Sequence, residues 1–174
     1  MIQRTDLFAI LSISCLSLTA CTGDVDLQAE TAGARAIVDD FWRAIQTQDT
    51  DLLAQVVADD DEMIAFGTDA AERWVGSKSY VEAEEQMMQV FDVERLARRD
   101  ETLRIHRAGG VAWFSTVFDI GITVDGESMG FEGLRTTGVI EKRDDRWVIV
   151  QMHTSVPVAG QQVEYREDGD SDPN

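Results

Sequence analysis

The sequence predicts an α+β fold: a cone-shaped, curved antiparallel sheet with about three helices packed on its concave face. Two patterns and one bound lead to this. The first half of the chain carries helical periodicity interrupted by one short apolar run. From Phe91 onward the pattern changes to alternating strands separated by tight turns. At 174 residues and 44% hydrophobic content, the chain can bury one core, and no internal repeat or second domain is visible. Helices that all precede a continuous meander must share one face of its sheet.

The chain is strongly acidic, with 33 Asp and Glu against 15 Lys and Arg and a formal net charge of −18. Such a surface repels phosphate backbones, so no nucleic-acid partner is expected. Residues 1–20 read as a leader. Arg4 precedes the apolar stretch Leu7 to Ala20, which is shorter than the roughly twenty residues a bilayer-spanning helix needs. Leu18-Thr19-Ala20-Cys21 resembles the bacterial lipobox. That resemblance implies cleavage before Cys21, lipidation of Cys21, and residues 21–33 acting as lipidated cysteine and tether. Thr22 rather than aspartate after the cysteine leans toward an outer-membrane anchor facing the periplasm. The two cysteines, Cys15 and Cys21, are then both used up, so the domain at 34–158 has no thiol chemistry. Residues 159–174 are acidic and without apolar pattern, as in a disordered tail.

The elements follow in order. A first helix is expected from about Ala29 to Thr47, with Ile37, Val38, Phe41, Trp42 and Ile45 on one face of a 3.6 period. Asp49 caps a short second helix that turns Leu52, Leu53, Val56 and Val57 inward. Asp59-Asp60-Asp61-Glu62 lacks the glycine turn and distal glutamate of a calcium loop and reads as solvated. Met63 to Phe66 is a short buried strand, and the loop Thr68 to Gly76 carries Trp74 as a lid or packing residue. A third helix is expected from about Ser79 to Phe91, with Ser79 and Glu82 as a capping box and Tyr80, Val81, Met87, Met88 and Phe91 as its inner stripe. Arg98 to His106, Val111 to Val124, Ser128 to Lys142 and Trp147 to Val156 form the meander. Asp125-Gly126 is a hairpin turn that tolerates positive φ.

Helix-helix-strand-helix followed by four strands resembles the nuclear transport factor 2-like superfamily. Arg135-x-Thr137, a charged turn, Trp147-x-Ile149 and His153-x-Ser155-x-Pro157 are similar to its SnoaL-like domains, near the association domain of calcium/calmodulin-dependent kinase II. The resemblance spans roughly Ala34 to Pro157. It implies the fold, but members include enzymes, oligomerisation modules and domains without a role, so it does not imply an activity. Two departures stand out. The catalytic aspartate of ketosteroid isomerase-like members falls on Ala65 or Phe66, where no carboxylate exists for proton abstraction. The pocket arginines of the kinase association domain fall on Gly138 and Thr154.

Strict two-residue hairpins assign the sheet faces. Phe114, Thr116, Phe118, Ile120, Phe131, Arg135, Thr137, Val139, Val148, Val150 and Met152 would face the helices. An apolar pocket lined by Trp42, Phe118 and Phe131 would then contain Arg135 and Thr137. A guanidinium there needs a partner: Asp39 or Asp40, or the carboxylate or carbonyl of a ligand. Trp113, Val117, Leu134, Ile140, Trp147, Ile149, Gln151 and His153 would face outward, and related folds pair sheet to sheet, which implies a homodimer through Trp113, Trp147 and Ile149. His153 is the candidate acid/base if a bulge turns it inward, and an interface residue otherwise. His106 and His153 have no metal spacing, and no cofactor is implied. The expected function is a membrane-anchored module that binds a small molecule or partner in an apolar pocket. The alternatives are an isomerase, cyclase or hydratase acting on a small carbonyl compound, and a structural or assembly lipoprotein.

Overall fold

In the computed structural model, which describes residues 25–159, the first helix, α1 (Leu27–Thr47), begins where the Asp26 carboxylate accepts from the amides of Gln28 and Ala29. It ends at Gln48, which takes the left-handed conformation. The leader, Cys21 and the acidic tail lie outside the described residues. Asp49 caps α2 (Thr50–Val56) by accepting from the Leu52 amide at 2.9 Å, as the sequence predicts. Then come β1 (Ile64–Phe66), β2 (Arg73–Val75), α3 (Ser77–Met88) and the long strands β3 (Asp92–Ile105), β4 (Val111–Val124), β5 (Glu127–Arg143) and β6 (Arg146–Ser155).

The six strands form one sheet in the order β2-β1-β6-β5-β4-β3. The meander is antiparallel throughout, whereas β1 runs parallel to β6. The fold is therefore α+β, with three helices on a mixed, mostly antiparallel sheet. Several local expectations change: α3 ends at Met88 rather than Phe91, and β3 begins at Asp92 rather than Arg98. The expected loop before the third helix contains β2, paired with β1. Helix α3 starts two residues early, after Gly76 at φ 86°, and makes no capping box. Ser79 Oγ instead donates back to the carbonyls of Val75 and Gly76. The far end of α3 is held by Gln48, whose side chain donates to the Met88 and Phe91 carbonyls and accepts from the Val93 amide.

The face assignment is where the chain departs most from its sequence pattern. From the Asp125-Gly126 turn the ladder runs in strict register to Ile120–Phe131, then resumes one residue out of step at Phe118–Leu134. The extra residue is accommodated at Gly133, whose φ is 71°. A Cβ in that left-handed conformation costs roughly 1–2 kcal/mol, so glycine suits the bulge. Its amide donates to Asp119 at 2.8 Å, and Asp119 is paired with Arg99. A one-residue slip reverses every side chain beyond it. Leu134, Thr136, Gly138 and Ile140 consequently face the helices, and Arg135, Thr137 and Val139 face away. A second bulge, at Val150, separates the Ile140–Ile149 and Val139–Gln151 pairs, so Trp147 and Ile149 point inward before it and Met152 and Thr154 after it.

Trp147 and Ile149 are therefore core residues, not interface residues. Ile149 is fully buried together with Ile140, Leu53 and Met63. Trp147 lies against Gly33 of α1, where even a methyl group would overlap its indole, and its Nε1 donates to Glu30 at 3.2 Å. Of the three residues expected at a dimer face, only Trp113 stands outward, 47% exposed.

Candidate functional site

Helix α1, helix α3 and the concave face of the sheet enclose a cavity of about 170 Å³. This compares with the roughly 150 Å³ of a dry apolar cavity that accepts benzene. Phe41, Trp42 and Ile45 reach it from α1, Tyr80, Glu84 and Met87 from α3, and Phe118, Leu134 and Met152 from the sheet. Trp74 of β2, read from the sequence as a lid or packing residue, contributes as well, its ring 5.8 Å from that of Tyr80. The exposed Phe66 and Thr68 stand at the mouth.

Few polar groups interrupt this lining, and each is placed by a definite element. Thr136 and Thr154 face each other across β5 and β6 with their hydroxyls 2.9 Å apart, so that one donates to the other and the acceptor keeps its own O–H. Trp42 is 3% exposed and packs its ring on Phe118 at 4.8 Å between centroids. Its Nε1 is the buried side-chain nitrogen or oxygen that has no hydrogen-bond partner among the described residues. An indole N–H can only donate, and a buried donor without an acceptor costs about 1–3 kcal/mol.

A further polar group is Glu84. Tyr80, Glu84 and Met87 follow an i, i+4, i+7 spacing, so one face of α3 presents all three. Burial among apolar side chains pushes the Glu84 carboxyl up to about 7. The Tyr80 hydroxyl, donating to the carboxylate, opposes this, and the negative charge of Glu72 reinforces it. As a whole residue Glu84 is only partly buried; its carboxyl end is the part enclosed. Burial likewise raises the Tyr80 phenol well above its ordinary value. Glu72 is fixed near the mouth by the amides of Thr68 and Asp69, which donate to one of its carboxylate oxygens at 2.5 and 2.9 Å. Gly67 makes room for this, since a Cβ there would overlap the Glu72 side chain. A carboxyl that titrates near neutrality in an apolar pocket can donate or accept a proton at working pH.

Of the residues expected in the site, Trp42 and Phe118 line the cavity. Arg135 and Thr137 do not, because the Gly133 bulge turns them to the opposite face. Arg135 donates there to the Val156 carbonyl at 3.3 Å, and Asp39 and Asp40 pair with Arg98 and Arg43 instead. Phe131 pairs with Ile120 but stands beyond the cavity wall, 43% exposed. His153 points away from the pocket, opposite Thr137 and edge-on to Phe66 at 5.8 Å, with Arg73 over the Phe66 ring. The bulges thus bring His153 and Arg135 to the same face, but on the outside. Of the two positions, Ala65 and Phe66, onto which the resemblance carries a catalytic aspartate, Ala65 is buried in the cavity wall and Phe66 stands at its mouth. The carboxyl that the pocket does contain comes from α3, and sequence reading missed it. The signal was present: a glutamate at the centre of the apolar Tyr80–Met87 stripe.

Three comparisons place this geometry among known proteins. The family model described as a SnoaL-like domain matches residues 34–159. Among solved structures, a ketosteroid isomerase-like protein from Erwinia carotovora atroseptica has a TM-score of 0.64 at 15% identity, covering 73% of this chain and 95% of that one. A protein from Xanthomonas campestris, provisionally described as a calcium/calmodulin-dependent protein kinase II association domain, gives 0.60 at 21% identity over 72% and 86%. An NTF2-like protein of unknown function from Pseudomonas putida gives 0.55 at 19% identity over 81% and 96%. At these identities the likeness is one of fold. No curated protein matches the chain. With the NTF2-like sheet, the three helices over its concave face and a family match across most of its length, the chain belongs to the SnoaL-like domain family.

Proposed function

We propose that this chain is a membrane-anchored SnoaL-like domain that binds a small, mainly apolar molecule in the cavity between α1, α3 and the sheet. The observation that carries this reading is the cavity itself, apolar on most sides, with the Glu84 side chain among its few polar lining groups. Ligand pockets characteristically combine an apolar lining with a few fixed polar groups. Native mass spectrometry of the full chain, released gently from detergent, tests it: extra mass of small-molecule size carried by the chain is the expected result. A chain that never carries or accepts such a molecule would refute the pocket reading. The same spectra test a homodimer through the outer sheet face. That reading now rests on Trp113 with its half-buried neighbours Val117 and Val139, and a clean monomer would end it.

A second reading has its own observation. Glu84, titrating near 7, could serve as the acid/base of an isomerase, cyclase or hydratase, a role His153 cannot fill from the outer face. Turnover lost in Glu84→Gln and retained in His153→Gln is the outcome that this reading requires.

The anchor is proposed from Leu18-Thr19-Ala20-Cys21, with the domain held at the periplasmic face of the outer membrane. Metabolic labelling with palmitate should mark the chain and not a Cys21→Ser variant. Equal labelling of both would remove the anchor.

A further inference from the structure

The walls of the cavity also bear on the charge of the molecule it takes, an argument that rests on the pocket reading above. Aromatic rings reach it from four elements: Phe41 and Trp42 of α1, Trp74 of β2, Tyr80 of α3 and Phe118 of β4. The Trp74 and Tyr80 rings are inclined at 60°, those of Trp42 and Phe118 at 56°, so neither pair is stacked flat. Two carboxylates complete the lining, Glu84 of α3 and Glu72 from the turn before β2. Among the described residues, no lysine, arginine or histidine lines it. Glu72 receives its hydrogen bonds from Thr68 and Asp69 on Oε2, and its Oε1 accepts none among the described residues. Its charge is felt by Glu84, so two like charges share an aromatic-walled space whose lining holds no base. An anion entering it would find no counter-ion, a strongly unfavourable burial. A cation would find carboxylates to pair with and π systems whose quadrupole attracts positive charge. One such contact exists at the mouth, where Arg73 lies over the Phe66 ring at 5.7 Å without itself entering the lining. The formal net charge of −18 acts in the same sense, because a cleft lined by one sign of charge concentrates ions of the other.

We infer that the cavity takes a small organic cation, a methylated ammonium head seated among the aromatic rings and balanced by Glu84 and Glu72. The methyl groups make such a head apolar on its outside, so it suits walls that are apolar on most sides. A quaternary ammonium also brings no N–H into a lining with few acceptors. A primary ammonium brings three donors, each needing a partner when buried. The cavity of about 170 Å³ is of the size that holds a benzene-sized guest, and a trimethylammonium group on a short stem is of similar bulk. The absence of a base from the lining further excludes a phosphate ester of the same head, whose anion would stand unpaired beside Glu72. The class is therefore a free ammonium compound and not a phospholipid headgroup.

Choline and 3,3-dimethylbutan-1-ol have the same shape and differ in nitrogen for carbon, hence in charge. Their affinities for the full chain in maltoside detergent are measured by ligand-observed NMR at pH 8, with the signal of empty micelles subtracted. Phosphocholine is the third probe. Choline is expected to bind at least about tenfold more tightly than the alcohol, through cation–π contacts and carboxylate pairing inside a desolvated site. Phosphocholine should bind at least about tenfold more weakly than choline, its phosphate being left unpaired. Glu84→Gln should weaken choline about fivefold to tenfold and leave the alcohol within about twofold. Trp74→Leu, which keeps apolar bulk and removes a ring, should also weaken choline more than the alcohol. Equal affinities of choline and the alcohol would overturn the inference while the pocket stands. A choline affinity indifferent to both substitutions would overturn it as well. Phosphocholine binding as tightly as choline would overturn the assignment to a free cation and point to a lipid headgroup. If neither choline nor the alcohol binds, the pocket reading itself fails, and the inference with it.

Discussion

Glu84→Gln is expected to make the protein more stable above neutral pH and to leave it nearly unchanged in mild acid. The sign follows from linkage. Burial raises the Glu84 carboxyl from an ordinary 4.5 to about 7 in the folded chain. Between these values the folded state holds a proton that the unfolded state has released, so stability falls as pH rises across this window. Below the window both states are protonated and the carboxyl costs nothing. Above it the full cost of an ionised group in an apolar wall is present, at most about 3 kcal/mol at 1.36 kcal/mol per unit. Glutamine keeps the shape without the charge. Urea unfolding at pH 5 and pH 8.5 should show the stability gap between variant and parent widening by roughly 2–3 kcal/mol at the higher pH. The carboxyls of Asp60 and Asp119 are held low, first by hydrogen bonds from Arg143 and Arg99. Their contribution is lost as pH falls, but it is common to both proteins and cancels in the comparison. A gap that is the same at both pH values would mean that Glu84 titrates like a surface carboxylate. The site would then lose its one neutral-range acid.

Ile149→Ala should destabilise the chain by about 2–5 kcal/mol, whereas Trp113→Ala should change it by less than about 1 kcal/mol. Ile149 is fully enclosed and pairs across the ladder with Ile140, equally buried, so truncation removes methyl groups and leaves a void that rigid strands close poorly. Trp113, on the opposite face and 47% exposed, has less packing to lose within one chain. Measuring both by denaturant titration, together with oligomeric state, separates core from surface. If Ile149→Ala retained stability and instead altered association, the inward placement of β6 would be wrong.

The contrast between these two residues shows how far the sequence reaches. Its periodicity carried the three helices, the Asp49 cap, the Asp125-Gly126 turn and the four-strand meander. These are local matters, set by side-chain spacing and turn chemistry within a few residues. The apolar clustering of Trp42 and Phe118 likewise sufficed to place them at a pocket. Register is different. Alternation along β5 and β6 is equally consistent with either face turned inward, because Leu134, Ile140 and Val139 are all apolar and Thr136 and Thr137 are neighbours. The choice rests on whether an extra residue is absorbed between the turn and Leu134.

Gly133 absorbs it, at positive φ, with its amide on Asp119 and Asp119 on Arg99 of β3. Those partners are distant in sequence and meet only once β3, β4 and β5 are assembled. That one residue moves Arg135 and Thr137 out of the cavity, and with the bulge at Val150 it buries Trp147 and Ile149 and leaves His153 outside. The acidity of Glu84 is set in the same non-local way. A glutamate in an apolar helical stripe can be read from the chain, but the walls that raise its carboxyl come from α1 and the far strands. The sequence by itself determined the family, the elements and their order; the tertiary structure decided which face of the sheet is the site and which carboxyl it holds. A strand's alternation is symmetric under a one-residue slip, and desolvation depends on neighbours that only the folded chain brings together.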